Sequence, residues 1–345
     1  MSNEPGGPTA ARPDQSDTVD PRADDRSAAT GPDADDQSEA AGDHSGAGRP
    51  APAPGATVLA LLAAGWLAAM LWSTREAISS ATAGVTAVSL SAFALPGVIS
   101  AALVAGAAVG LAAGEPVARR TERVTLRFAV AIGAGLLVGL LAALAIDLTY
   151  AGDVTTRTIA GTTAAAAVIG GALAGARNGA VVGAVAAAAL GTLVFVVAFS
   201  VARDPLFNLF GAGDSQQSLV NAASWVSRTE SLLAGLIAGG LAFGYLTWAR
   251  RRVVRDGGEA APRWPAYLVA GAGPGLLLLL TEVIIRIGGR SLIDLAAALS
   301  EADAVAQTSL GTSRVDNAIW VLFVGALTAV VSFGRTLSSP ADDEA

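Results

Sequence analysis

The sequence predicts an all-α fold, a polytopic bundle of about eight transmembrane helices preceded by a disordered tail. Three observations carry that expectation. Of the 345 residues, 52% are apolar and only 15% charged, where soluble domains carry about 25% charged residues. Uncharged runs such as Ala77 to Gly114 and Gly179 to Ala202 exceed the ~20 residues that cross a ~30 Å hydrocarbon core at a rise of 1.5 Å each. The charge is also localised. The formal net charge of −7 resides in residues 1–54, where four arginines stand against eleven acids; eighteen arginines and eighteen acids cancel in the remainder.

Residues 1–54 are rich in Ala, Asp, Gly, Pro and Ser. Such a segment buries too little apolar surface to offset its chain entropy, so it reads as a disordered, acidic, cytoplasmic tail. It lacks the basic start and early apolar core of a signal peptide. Solvation or recruitment of a partner are its two readings. Residues 55–336 form the expected transmembrane domain, and 337–345 a short acidic cytoplasmic tail.

In chain order the apolar runs place spans at 56–72, 90–114, 128–147, 158–176, 179–201, 231–249, 265–285 and 318–334. Pro96-Gly97 predicts a kink in the second span. Ala81 to Leu95 then reads as part of it or as a surface or re-entrant piece. Only Ala176-Arg177-Asn178 joins the fourth span to the fifth, which predicts a tight antiparallel hairpin. The connections 202–230 and 288–317 are long enough for short amphipathic helices, for example one carrying Leu292, Ile293, Leu295 and Leu299.

Every basic side chain is arginine. Dense clusters fall in 115–127 (Arg119, Arg120, Arg123, Arg127) and 250–263 (Arg250, Arg251, Arg252, Arg255, Arg263). Short cytoplasmic loops accumulate positive charge, which puts both clusters and both termini on the cytoplasmic side of a plasma membrane. Arg250-Arg251-Arg252 reads as a topological anchor; no nucleic-acid partner is expected. The expected partners are the lipid bilayer and proteins that meet the tail or outer loops, with the oligomeric state open. There is no cysteine, and the single histidine, His44, lies in the tail. Thiolate and histidine metal sites, thiol catalysis and a Ser-His pair are therefore excluded from the membrane part, and no cofactor is expected.

Two stretches repeat a pattern: Ser227-Arg228-Thr229-Glu230 and Ser313-Arg314-Val315-Asp316. Each precedes an apolar run and fits a helix capping box, in which the hydroxyl accepts from a free N–H of the first turn and the acid reaches back. Ser73-Thr74-Arg75-Glu76 fits as well, and Thr155-Thr156-Arg157-Thr158 has the hydroxyls without the acid. The arginines then snorkel to phosphates or pair with a carboxylate; a ring of arginines around an anion is the alternative. This spacing also hints at repeated two-span hairpins, with spans five–six and seven–eight the clearest.

The candidate intramembrane polar site is Glu282 with Arg286, four residues apart and so on one helix face. Asp147, ending the third span on the same side, is its candidate third member. Charges in hydrocarbon cost at least ~2.5 kcal/mol and face protein or water. The group reads as an interface anchor or as the lining of a polar path. Gly271 to Gly275, "GAGPG", lacks the lysine and hydroxyl of a phosphate loop and reads as a broken or kinked helix in the seventh span. Glycines at small-xxx-small spacing (Gly106, Gly110, Gly114; Gly171, Gly175, Gly179, Gly183; Gly235, Gly239) predict close helix contacts. The scarcity of intramembrane polar groups favours a non-enzymatic membrane subunit or scaffold. The alternative is a small-solute or ion permease built on the seventh span.

Overall fold

Helices dominate because nothing else satisfies backbone polar groups within lipid. The structure, a computed structural model, describes residues 53–80, 84–120, 123–149, 154–176, 178–210, 215–257 and 263–337. The expectations for the two tails and for Arg177 lie outside the described residues. Among the described residues there are ten helices: α1 Ala56–Ser79, α2 Gly84–Arg120, α3 Val124–Thr149, α4 Val154–Ala174, α5 Gly179–Val201, α6 Arg203–Leu209, α7 Gln216–Arg255, α8 Trp264–Gly288, α9 Arg290–Leu299 and α10 Glu301–Gly334. Eight of them, all but α6 and α9, are long and apolar enough to cross a membrane.

Their packing is that of a protein whose outer solvent is oil. On α3 the buried residues are Ala131, Gly135, Gly139, Ala142 and Ile146, whereas Leu137, Leu140, Leu141, Leu144 and Leu148 are each more than half exposed. Exposing a leucine to water forfeits about 1.5–3 kcal/mol; against lipid tails it costs nothing. Small residues therefore take the inside, where close backbone approach maximises packing. The multi-pass membrane assignment rests on this inversion as much as on hydropathy. Helices α2 and α8 are central: 72% and 61% of their most apolar stretches are buried, against 28%, 28% and 22% for α1, α3 and α10.

The spans form two units of four with the same packing order. In the first, α4 seats on α2 and α3 while α1 packs on α2; in the second, α10 seats on α7 and α8 while α5 packs on α7. Glycines set both seats. A Cβ on Gly106 or Gly170 would collide across the α2–α4 contact, and one on Gly135 or Gly171 across the α3–α4 contact. Gly239, Gly271, Gly275 and Gly325 play these parts among α7, α8 and α10. Within each set, successive spans also pack as the two-span hairpins that the sequence suggests: α1 on α2, α3 on α4, α5 on α7 and α8 on α10. The expected α4–α5 hairpin is corrected: α4 faces α2 and α3, α5 faces α7 and α8, and the short link merely joins the units.

Two further expectations are revised and one open alternative is decided. Helix α8 runs unbroken through Gly271–Gly275 and Pro274, so this is not a discontinuous helix. Helix α2 likewise continues from Gly84 through Pro96, which leaves no separate re-entrant piece in 84–95. A proline removes one hydrogen bond, and in a bundle buried neighbours hold the helix around the gap. The caps are also misplaced. Ser73 and Glu76 lie in the last two turns of α1, Ser227, Arg228 and Glu230 lie inside α7, and Ser313, Arg314 and Asp316 lie inside α10. A helix interior has no free N–H for a cap to satisfy. The caps stand further out: Ser215 accepts from the Ser218 N–H and Ser300 from the Asp303 N–H, both at 3.2 Å. These helices start well before their apolar runs. With 40 and 34 residues, α7 and α10 reach about 60 and 51 Å at 1.5 Å per residue. The long connections are accordingly mostly helix, including α6 and the expected amphipathic α9, which buries Leu292 and Ala296.

Candidate functional site: a carboxylate shared by two arginines

The site follows from one backbone contact. Gly271 on α8 and Gly325 on α10 touch so closely that a Cβ on either would strike the other's carbonyl oxygen. These helices run antiparallel. Glu282 lies eleven residues beyond Gly271, and Arg314 eleven before Gly325. Eleven residues are close to three full turns, so both side chains return to the contact face at the same height. There the two carboxylate oxygens of Glu282 are divided: Oε1 accepts from the Arg286 Nε at 3.1 Å and Oε2 from the Arg314 Nε at 3.0 Å. The carboxylate is 8% exposed, Arg314 27% and Arg286 64%.

The same glycine sets a second polar layer. Helix α7 runs parallel to α10, and Gly239 rests on the Gly325 carbonyl. Ser231 and Asn317 each lie eight residues before their glycine. The Ser231 hydroxyl accordingly donates to the Asn317 Oδ1 at 2.7 Å, with Ser227 also donating at 3.3 Å. Glu230, next on α7, accepts from Arg203 of α6 at 3.2 Å. Arg228 instead lies over the Trp225 ring, 5.5 Å from its centroid. The two Ser-Arg stretches therefore have no shared role. One supplies Ser227 and Glu230 to neighbouring helices; the other supplies Arg314 to Glu282.

Glu282 and Arg286 meet as the sequence predicts. Asp147 does not join them: it is exposed on α3, a helix that packs on α4 and α2. Arg314 takes the expected third place. Gln307 and Asn317 were not anticipated. Gln307, Gly311 and Arg314 share one face of α10, a spacing visible in the sequence only if the helix is extended outward beyond its apolar run. Gln307 is buried, and its side-chain nitrogen has no hydrogen-bond partner among the described residues.

A smaller hydroxyl group lies deeper. Ser100 of α2 donates to Thr281 at 3.3 Å. Together with Thr192 these residues line a small cavity beside Pro274, walled otherwise by Leu103, Leu277 and other apolar side chains. Thr192 donates to the Ala188 carbonyl at 2.8 Å.

Chemically, the Glu282 carboxylate is an oriented acceptor with one guanidinium bond to each oxygen. The trio carries a net positive charge. No protein-family model matches the chain, and neither a curated protein nor a solved structure matches it.

Proposed function

We propose that the chain is a non-enzymatic membrane subunit or scaffold of the plasma membrane. Both termini are cytoplasmic, and its working face is the end of the bundle that carries Glu282. The observation that supports this reading is the shared carboxylate. Glu282 ties α8 to α10 through Arg314 and to its own next turn through Arg286, so its charge is committed to holding helices together. The Ser231–Asn317 and Arg203–Glu230 contacts add ties of the same kind. A rigid, glycine-locked bundle with helices extended at one end presents surfaces to other proteins. Its arginine-dense end, with 115–127 and 250–263, fits the cytoplasmic side.

The reading predicts the behaviour of two variants. Glu282→Ala leaves two arginines without their anion and destabilises the chain by roughly 3 kcal/mol. This is read as lower abundance in membranes and a lower melting temperature in detergent. Glu282→Leu combined with Arg314→Leu restores much of the loss, because an apolar pair can replace a buried ion pair at little cost. Wild-type abundance and melting of Glu282→Ala would remove the anchor role.

The second reading, a small-solute or ion permease, draws on the Ser100, Thr192 and Thr281 hydroxyls around the Pro274 cavity. It predicts that Thr281→Val leaves melting within about 1 kcal/mol, the scale of one intramembrane hydrogen bond, while solute or ion flux into proteoliposomes falls. Equal flux from protein-free and protein-loaded vesicles removes this reading.

A further inference from the structure

We infer that Arg286, Arg314 and Gln307 form a binding site for a phosphate group, set around Gly311 at the end of the bundle where α8 stops. The two arginines approach Glu282 through Nε only. Their terminal Nη nitrogens have no hydrogen bond among the described residues. Each guanidinium thus keeps a planar pair of donors in the geometry that suits phosphate oxygens.

Gln307 supplies the independent observation. It is 6% exposed, and its Nε2 donor is without a partner. Burying such a donor costs free energy unless an acceptor meets it. Gln307 lies one turn further out on α10 than Gly311, and Arg314 one turn further in. Gly311 sits against the pair without crowding it: a Cβ there would lie 3.7 Å from both the Arg314 Nη2 and the Glu282 Oε1, an ordinary contact distance. The group offers donors from two helices and, after Glu282 is counted, one excess positive charge. Asp316 lies about 200° round α10 from Arg314 and does not cancel it.

A phosphate could arrive on a lipid or free in water. The surroundings favour the lipid. Arg286 lies on the outer face of α8 between Val283 and Ile287, which are 49% and 78% exposed. An acyl chain lying along those two side chains would place its headgroup phosphate at Arg286. Arginines near helix ends reach towards that level of the bilayer.

The test uses the full chain in nanodiscs of phosphatidylcholine with or without phosphatidylglycerol. Native mass spectrometry counts the lipids retained. Both lipids carry a phosphate, but choline cancels its charge, so a site with one excess positive charge should retain phosphatidylglycerol over phosphatidylcholine by about fivefold, the effect of one basic residue at a membrane surface. Arg286→Gln should abolish that preference. This variant should fold, since Arg286 is largely exposed and Glu282 keeps Arg314; a melting curve checks it. Arg286→Lys, which retains charge but loses the Nη pair, should fall between. Arg290→Gln, at an exposed arginine that faces Asp294, should match wild type. If phosphatidylglycerol shows no preference but inorganic phosphate raises the wild-type melting temperature and not that of Arg286→Gln, the phosphate site stands and its source is soluble. Absence of both effects, or equal behaviour of Arg286→Gln and Arg290→Gln, overturns the site.

Discussion

Gly325 shows how far one residue's missing side chain reaches. Its carbonyl faces both Gly239 of α7 and Gly271 of α8 at distances that leave no room for a Cβ, and from that point helical geometry delivers Arg314 to Glu282 and Asn317 to Ser231. Glycine at this position is needed for distance, since an added Cβ would meet backbone and not a movable side chain. Gly325→Leu should therefore cost about 2–3 kcal/mol, in the range of overpacked cores. It should also separate the polar partners, seen as a fall in melting temperature comparable to that of Glu282→Ala. Gly240→Ala, where a Cβ meets nothing within 4 Å, should melt at or above the wild-type temperature. Equal losses from both variants would contradict the glycine-lock account. At this scale the sequence was half legible. Four-residue spacing made the Glu282–Arg286 pair visible, because both lie on one helix. Arg314 is thirty-odd residues away on another helix, and nothing in its neighbourhood distinguishes a partner of Glu282 from a cap.

Among the helices, the apolar middles were readable and the ends were not. Hydropathy marks where lipid begins, and a helix can continue past it. The N-termini of α7 and α10 do so, and this is why Ser227 and Ser313 resemble caps without being caps. Serine is common at both kinds of boundary, the end of a helix and the end of an apolar run. Ser300→Ala should thus cost about 1 kcal/mol and raise amide exchange in the first turn of α10, while Ser313→Ala should leave that turn unchanged. The reverse result would restore the shorter helix. The prolines of α2 and α8 teach a related lesson. Pro274 is a break signal in isolation, but Gly273 against Val185 and Gly275 against Leu322 clamp both sides of it.

For the whole molecule, orientation is the property most open to direct test. The chain contains no cysteine, so single cysteines report without background. On intact cells, a membrane-impermeant maleimide should label Ala202→Cys. Asp256→Cys, beside the arginine-dense 250–255 segment, should react only after permeabilisation. The opposite pattern would invert the topology and move the Glu282 end to the cytoplasm. The amino-acid sequence alone was enough to specify a helical chain with eight segments long and apolar enough to cross a membrane, because backbone satisfaction in lipid leaves no other choice for such apolar runs. Which helices meet, and at what register, was decided only in three dimensions. Lipid offers no hydrophobic preference between one apolar face and another, so contact went to whichever small-residue faces could approach most closely. That choice built two four-span units, excluded Asp147 from the polar site, and joined Glu282 to Arg314.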